Sequence, residues 1–203
     1  MLKEDKLNYG YSELEPYIDT HTLGLHYNKH YLNYLNNLNK ILNKYQIQYV
    51  AKNNLDGVLS AINKMEQNDT YDALFNLGGV INHEIYFDSI SPNKNNKLVG
   101  KIKDDIEKKY GNHNNFKKEI LNCVKTLQGS GYTYLVKDRN NELQILNFPN
   151  QAIPEFYGYK PIMNIDLWEH AYYINYKNNK EEYINNFFDI LDWNKINKRY
   201  ESI

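Results

Sequence analysis

The tightest constraint on the fold is a set of metal-capable side chains scattered over most of the chain. The octapeptide Asp166-Leu167-Trp168-Glu169-His170-Ala171-Tyr172-Tyr173 places a carboxylate and an imidazole four residues apart. Two further histidines that could join them, His26 and His83, lie in separate motifs far upstream. The rest of the chain then serves as the frame that brings the set together. Three imidazoles and one carboxylate suit iron, manganese, zinc or copper, whereas calcium and magnesium take all-oxygen sites. Four protein ligands without a thiolate leave room for solvent, and an open position is what metal catalysis requires.

Local sequence supports some members of the set more than others. Asp166 lies between Ile165 and Leu167, where an unpaired buried charge is expensive. A cation would offset it, and the only arginines are Arg139 and Arg199. His83 follows Gly78-Gly79-Val80-Ile81-Asn82. Each glycine inside a helical pattern costs ~1 kcal/mol relative to alanine, so the pair implies close approach of another backbone or of a site. His26 and His30 are four residues apart, about 6 Å along a helix axis. They could share one ion, or one could ligate while the other stands behind it. His21 and His113 sit in polar, turn-like surroundings and are expected at the surface.

Composition narrows the class. At 203 residues the chain suits one compact protein of one or two small domains. A net charge of -1 gives no bulk basic field for nucleic acid. No apolar run approaches the ~20 residues that cross a bilayer, and Met1 to Lys6 carries acids rather than an apolar signal region. The single Cys123 excludes an intrachain disulfide framework and is expected to be a buried helix residue. These features point to a cytoplasmic protein with no membrane partner.

Hydrophobic spacing predicts a helix over 25–42, with Tyr27, His30, Tyr31, Tyr34, Leu35 and Leu38 on one face. Further helices are expected over 55–65 and 71–90, and two more between 98 and 128, broken near Gly111-Asn112. Ser91-Pro92 and the run from Asn93 to Asn96 mark a boundary between a domain at 1–91 and one at 92–203. Residues 131–137 are rich in β-formers, 138–141 are turn material, and 142–147 alternate with period two, which predicts a hairpin. Residues 161–165 could add a third strand, and 183–191 return to helix. The fold class is therefore α+β: a helical N-terminal hairpin domain, then a C-terminal domain with a small three-stranded antiparallel sheet flanked by helices.

Five blocks in this order resemble the iron/manganese superoxide dismutase family. They are Leu14-Glu15-Pro16-Tyr17-Ile18; Leu25 to Tyr31 with Tyr34 to Leu38; Asn76 to His83; Gln128 to Gly131 with Pro149-Asn150-Gln151; and Asp166 to Tyr173. The resemblance implies His26, His83, Asp166 and His170 as ligands of one manganese or iron ion per subunit, with solvent in a fifth position. It implies superoxide as substrate, turned over to dioxygen and hydrogen peroxide by cycling the metal between +3 and +2. It assigns Tyr34 and His30 to a substrate gate and Gln151 to contact with the bound solvent. A glutamine after the hairpin is the manganese-type pattern. In the iron-type pattern it stands where this chain has Gly79, so manganese is favoured. Val80, where manganese-type members usually carry histidine, and Asn164, where glycine is common, depart from that pattern.

By the same resemblance Lys29 and Lys180 occupy the positions of cations in the substrate funnel. Glu169 would reach the ligand histidine of a second subunit and Tyr173 its gate histidine, beside the retained Trp168. A homodimer follows, alone or paired into a tetramer. Tyr132, Tyr134 and Phe87 replace tryptophans common in the family. Two rivals are a metal-binding dimer without redox activity and a non-haem iron oxygenase. The oxygenase would use two histidines and one carboxylate, leaving His83 outside the site.

Overall fold

A computed structural model describes residues 2–47, 54–93 and 97–203. The first helical unit opens with α1 (Thr20–Leu25), where the Asp19 side chain accepts from the Thr22 N–H at 2.8 Å. It starts earlier than apolar spacing indicates, because the cap and the polar first turn set the start. A π-helical turn covers His26–Tyr31, and the Leu32 N–H bonds back to the Tyr27 carbonyl five residues earlier. The chain continues as α2 (Leu32–Lys44), then α3 (Leu55–Ile62) and α4 (Gln67–Asp88).

Leu35, Leu38 and Leu42 of α2 are buried, as are Ala73, Leu77 and Val80 of α4. These positions form a common core in which α2 packs on α4. Full burial of a leucine such as Leu38 stabilises by about 1.5–3 kcal/mol. The two glycines of α4 have identifiable neighbours. A Cβ on Gly78 would overlap the Gln151 carbonyl oxygen, and one on Gly79 would overlap the Tyr34 ring. Their absent side chains let a loop backbone and an aromatic ring close on the helix just before His83.

The second half begins with α5 (Gly100–Tyr110) and α6 (His113–Thr126), broken at Gly111 with φ 86°. Strands β1 (Gly131–Lys137), β2 (Leu143–Pro149) and β3 (Lys160–Asp166) form an antiparallel sheet in the order β2-β1-β3. The register pairs Tyr132 with Asp166 and Tyr134 with Asn164. Short helices α7 (Tyr173–Tyr176) and α8 (Lys180–Phe187) precede α9 (Trp193–Glu201). The expected helix over 183–191 is thus displaced: α8 begins at Lys180 and passes into a 3-10 turn at Phe188–Ile190. Residues 94–96 of the proposed boundary run lie outside the described residues.

Arg199 on α9 joins the elements that carry the site. Its guanidinium donates to the Asp88 carboxylate at the end of α4, to Ser89 Oγ at 3.0 Å and to the Ile162 carbonyl of β3 at 2.7 Å. α4 carries His83 and β3 ends at Asp166, so this residue braces two of the candidate ligands.

Two expectations are corrected. His113 is half-buried rather than at the surface, its ring packed near Phe116, Phe188 and Trp193. The turn-like sequence around it marks the start of α6, not an exposed loop. Cys123 lies on α6 as expected but is only half-buried, with its Sγ 3.8 Å from the Ile145 carbonyl. The α6–β2 contact covers one side of that residue.

Candidate metal centre

The four side chains singled out by sequence meet in the interior. His26 comes from the π turn, His83 from α4, Asp166 from the end of β3, and His170 from a 3-10 turn at Glu169–Ala171. Asp166 Oδ2 lies 3.1 Å from His26 Nε2, 3.4 Å from His170 Nε2 and 4.0 Å from His83 Nε2. All four potential ligand atoms fall within 4.8 Å of one another. Metal–ligand bonds of roughly 2.0–2.2 Å place ligand atoms on opposite sides of one ion about 4 Å apart, so the cluster matches a single first-row cation. His83 belongs to it, which removes the two-histidine oxygenase arrangement.

The electrostatics also fit a cation. Burial alone would raise the Asp166 carboxyl, but the adjoining His170 and His26 outweigh it and hold it far below the usual carboxylate range. Burial pulls His26 down to about 4, against the opposing effect of Asp166, and pulls His83 well below its ordinary value. At neutral pH these two imidazoles are uncharged and can offer lone pairs. Nε2 of His83 and of His170 are buried without a hydrogen-bond partner. Such orphaned acceptors are costly unless a ligand completes them.

Neighbouring groups fix the orientation. His83 Nδ1 is 2.6 Å from the Gly79 carbonyl, which requires a proton on Nδ1 and turns the lone pair of Nε2 inward. Asp166 Oδ1 accepts from the Trp168 N–H at 2.8 Å, leaving Oδ2 for the cluster. The Trp168 indole N–H donates to the Asn150 carbonyl at 3.2 Å, and its ring stacks on His170 with centroids 5.8 Å apart.

The other predicted residues divide into two groups. Gln151 is buried, and its Nε2 donates to the Tyr34 hydroxyl at 3.0 Å; the Tyr34 ring lies 5.4 Å from that of His83. His30 stays out of the cluster and stacks on His170 at 3.9 Å between centroids. The open choice between a shared ion and a supporting residue thus falls to the second. Lys180 approaches the Tyr172 ring at 5.8 Å and lines a surface depression with Ser130, Trp168, Glu169 and His170. Lys29, Glu169 and Tyr173 are exposed within the single chain. Residues to which the sequence assigned no role also reach the centre. Asn82 donates to Gln151 Oε1 at 3.0 Å, and the Tyr134 hydroxyl donates to Asn82 Oδ1. A polar residue on an otherwise buried helix face, next to His83, was the available signal for Asn82.

The helical hairpin, the small sheet and the buried three-histidine, one-aspartate cluster define a class: α+β proteins with one mononuclear, thiolate-free metal centre between their halves. Residues 3–91 match the model of iron/manganese superoxide dismutases, alpha-hairpin domain, and residues 98–199 match that of the C-terminal domain. The chain belongs to the iron/manganese superoxide dismutase family. It is 35% identical over 200 residues to a superoxide dismutase [Mn/Fe] 2 of Staphylococcus aureus strain bovine RF122 / ET3-1, covering 98% of each chain. The corresponding protein of strain Mu50 / ATCC 700699 is 34% identical over the same share.

Proposed function

We propose that His26, His83, Asp166 and His170 hold one ion per chain and that Tyr34, His30 and Gln151 serve the reaction beside it. The protein is a superoxide dismutase of the manganese/iron kind. Bound manganese or iron supplies a +3/+2 couple, by which one superoxide loses an electron and leaves as dioxygen while a second gains it with two protons and leaves as hydrogen peroxide. The observation that carries the residue assignment is the convergence of unpartnered histidine Nε2 atoms on a buried carboxylate.

The remaining roles follow from chemistry and position. Asp166 offsets cation charge in a site that water barely reaches. Burial raises the Tyr34 phenol above its ordinary value, so Tyr34 keeps its proton at neutral pH and can offer it towards the site. His30 covers the outer face of His170. Lys180 at the surface depression and the exposed Lys29 add local positive charge that favours capture of an anion.

Manganese is the favoured metal. Gln151 occupies the post-hairpin position, and Gly79 has the Tyr34 ring where a side chain would begin, which supports that arrangement. A homodimer is favoured too. Tyr173 and Ile174 are 45% and 44% exposed beside the exposed Glu169. Glu169 of a second chain would accept a hydrogen bond from His170, with Trp168 behind it and Tyr173 at the gate. Domains at 1–91 and 92–203 fit the interval between α4 and α5. A single cysteine suits a reducing cytoplasm. Native metal analysis with His26→Ala as control tests the ligand assignment: the variant should lose its metal, and retention of a full ion would reject it.

A further inference from the structure

We propose that Tyr134 is a positioning residue whose hydroxyl, acting through Asn82, fixes which end of the Gln151 amide faces the metal centre. The inference rests on the metal-site assignment above and deepens it. Tyr134 is fully buried on β1, and its hydroxyl donates to Asn82 Oδ1. The other end of the same amide, Asn82 Nδ2, donates to Gln151 Oε1 at 3.0 Å and faces the Ala152 carbonyl at 3.5 Å. A carbonyl can only accept, so Ala152 and Tyr134 agree on one orientation of Asn82. Gln151 Oε1 is then held as an acceptor, and Nε2 turns to Tyr34, donating to its hydroxyl at 3.0 Å. With that oxygen accepting, the Tyr34 proton is left for the site.

The series therefore runs one way, from Tyr134 through Asn82 and Gln151 to Tyr34. The sheet also fixes where it starts. Asn164 lies opposite Tyr134 in the register, and its Nδ2 donates to the Asn82 carbonyl at 2.9 Å. Asn82 is thus gripped at both backbone and side chain by two facing sheet residues. Burial raises the Tyr134 phenol well above its ordinary value, so it remains a donor at neutral pH.

The test is a double-mutant cycle read on the midpoint potential of manganese-loaded protein. Tyr134→Phe should bind metal at the wild-type ratio yet shift the potential in the same direction as Gln151→Ala, because a loosened amide dipole changes the field at the metal. Made on top of Gln151→Ala, it should add no shift. No shift in the single variant, or an equal shift in the Gln151→Ala background, would overturn the proposal. Asn82→Leu, close in size and without donors, gives the same cycle if Tyr134→Phe fails to fold. The potential is measured without superoxide, so failure of the positioning role is distinguishable from failure of the dismutase assignment.

Discussion

Replacing Gly78 by alanine should destabilise the protein, whereas the same change at Gly24 should stabilise it. Both residues are helical and neither has a positive φ. Helix propensity alone favours alanine by about 1 kcal/mol at each. A Cβ on Gly24 would meet only Tyr11 Cδ2 at 3.9 Å, an ordinary contact, so the gain should be realised. At Gly78 the Cβ would collide with the Gln151 carbonyl, and a backbone atom cannot rotate aside. Overpacking costs about 1–3 kcal/mol, and an immovable neighbour places this case at or above the upper end. The expected net loss is about 2 kcal/mol, or roughly 4–8 °C in Tm for a chain of this length. Urea unfolding of the metal-free protein measures both variants: the midpoint should rise for Gly24→Ala and fall for Gly78→Ala at unchanged slope. Superoxide turnover by the loaded Gly78→Ala variant should fall too, because the displaced loop carries Gln151. A Gly78→Ala protein as stable as the Gly24→Ala one would refute the packing argument.

Three other outcomes are expected. Burial raises Glu155 from 4.5 to about 7, and its Oε2 is buried without a partner. The folded state keeps that proton while the unfolded state loses it, so this contribution is full below pH ~4.5 and disappears between ~4.5 and ~7. The size is on the order of 3 kcal/mol, and thermal melts should show Glu155→Gln gaining on wild type across that window but not below it. Arg199→Ala leaves buried acceptors on Ser89 and Ile162 and should cost about 2–4 kcal/mol in denaturant titrations; a loss under 0.5 kcal/mol would mean α9 does not brace α4 and β3. Glu169→Ala should lower both dimer content and bound metal by sedimentation and metal analysis; a variant unchanged in both would uncouple the interface from the centre.

Much of the centre was legible because its chemistry is rare in this chain. Among six histidines and 25 acids, Asp166 between apolar neighbours and His83 behind two glycines stood out before any geometry. The hairpin was equally readable from the alternation after Asp138-Arg139-Asn140-Asn141. The π turn was not: a shift from four-residue to five-residue hydrogen bonding leaves the apolar spacing of Tyr27, Tyr31 and Leu35 nearly intact. Helix α9 was missed although its signals were present, with Asp192 capping the Lys195 N–H and Trp193, Ile196 and Tyr200 on one buried face. The glycine pair announced a close approach without naming Gln151 and Tyr34, which lie far away in sequence. The link from Tyr134 to Asn82 joins β1 to α4 and has no local signature at all.

The central claim is that this buried cluster binds a redox metal and consumes superoxide with it. Purified protein reconstituted separately with manganese and with iron, and assayed for superoxide loss alongside His83→Ala, tests it most directly. Turnover should scale with bound metal, be greater with manganese, and vanish with the ion in the variant. Metal-loaded protein that leaves superoxide decay at its spontaneous rate, or turnover that persists in metal-free His83→Ala, would contradict the account.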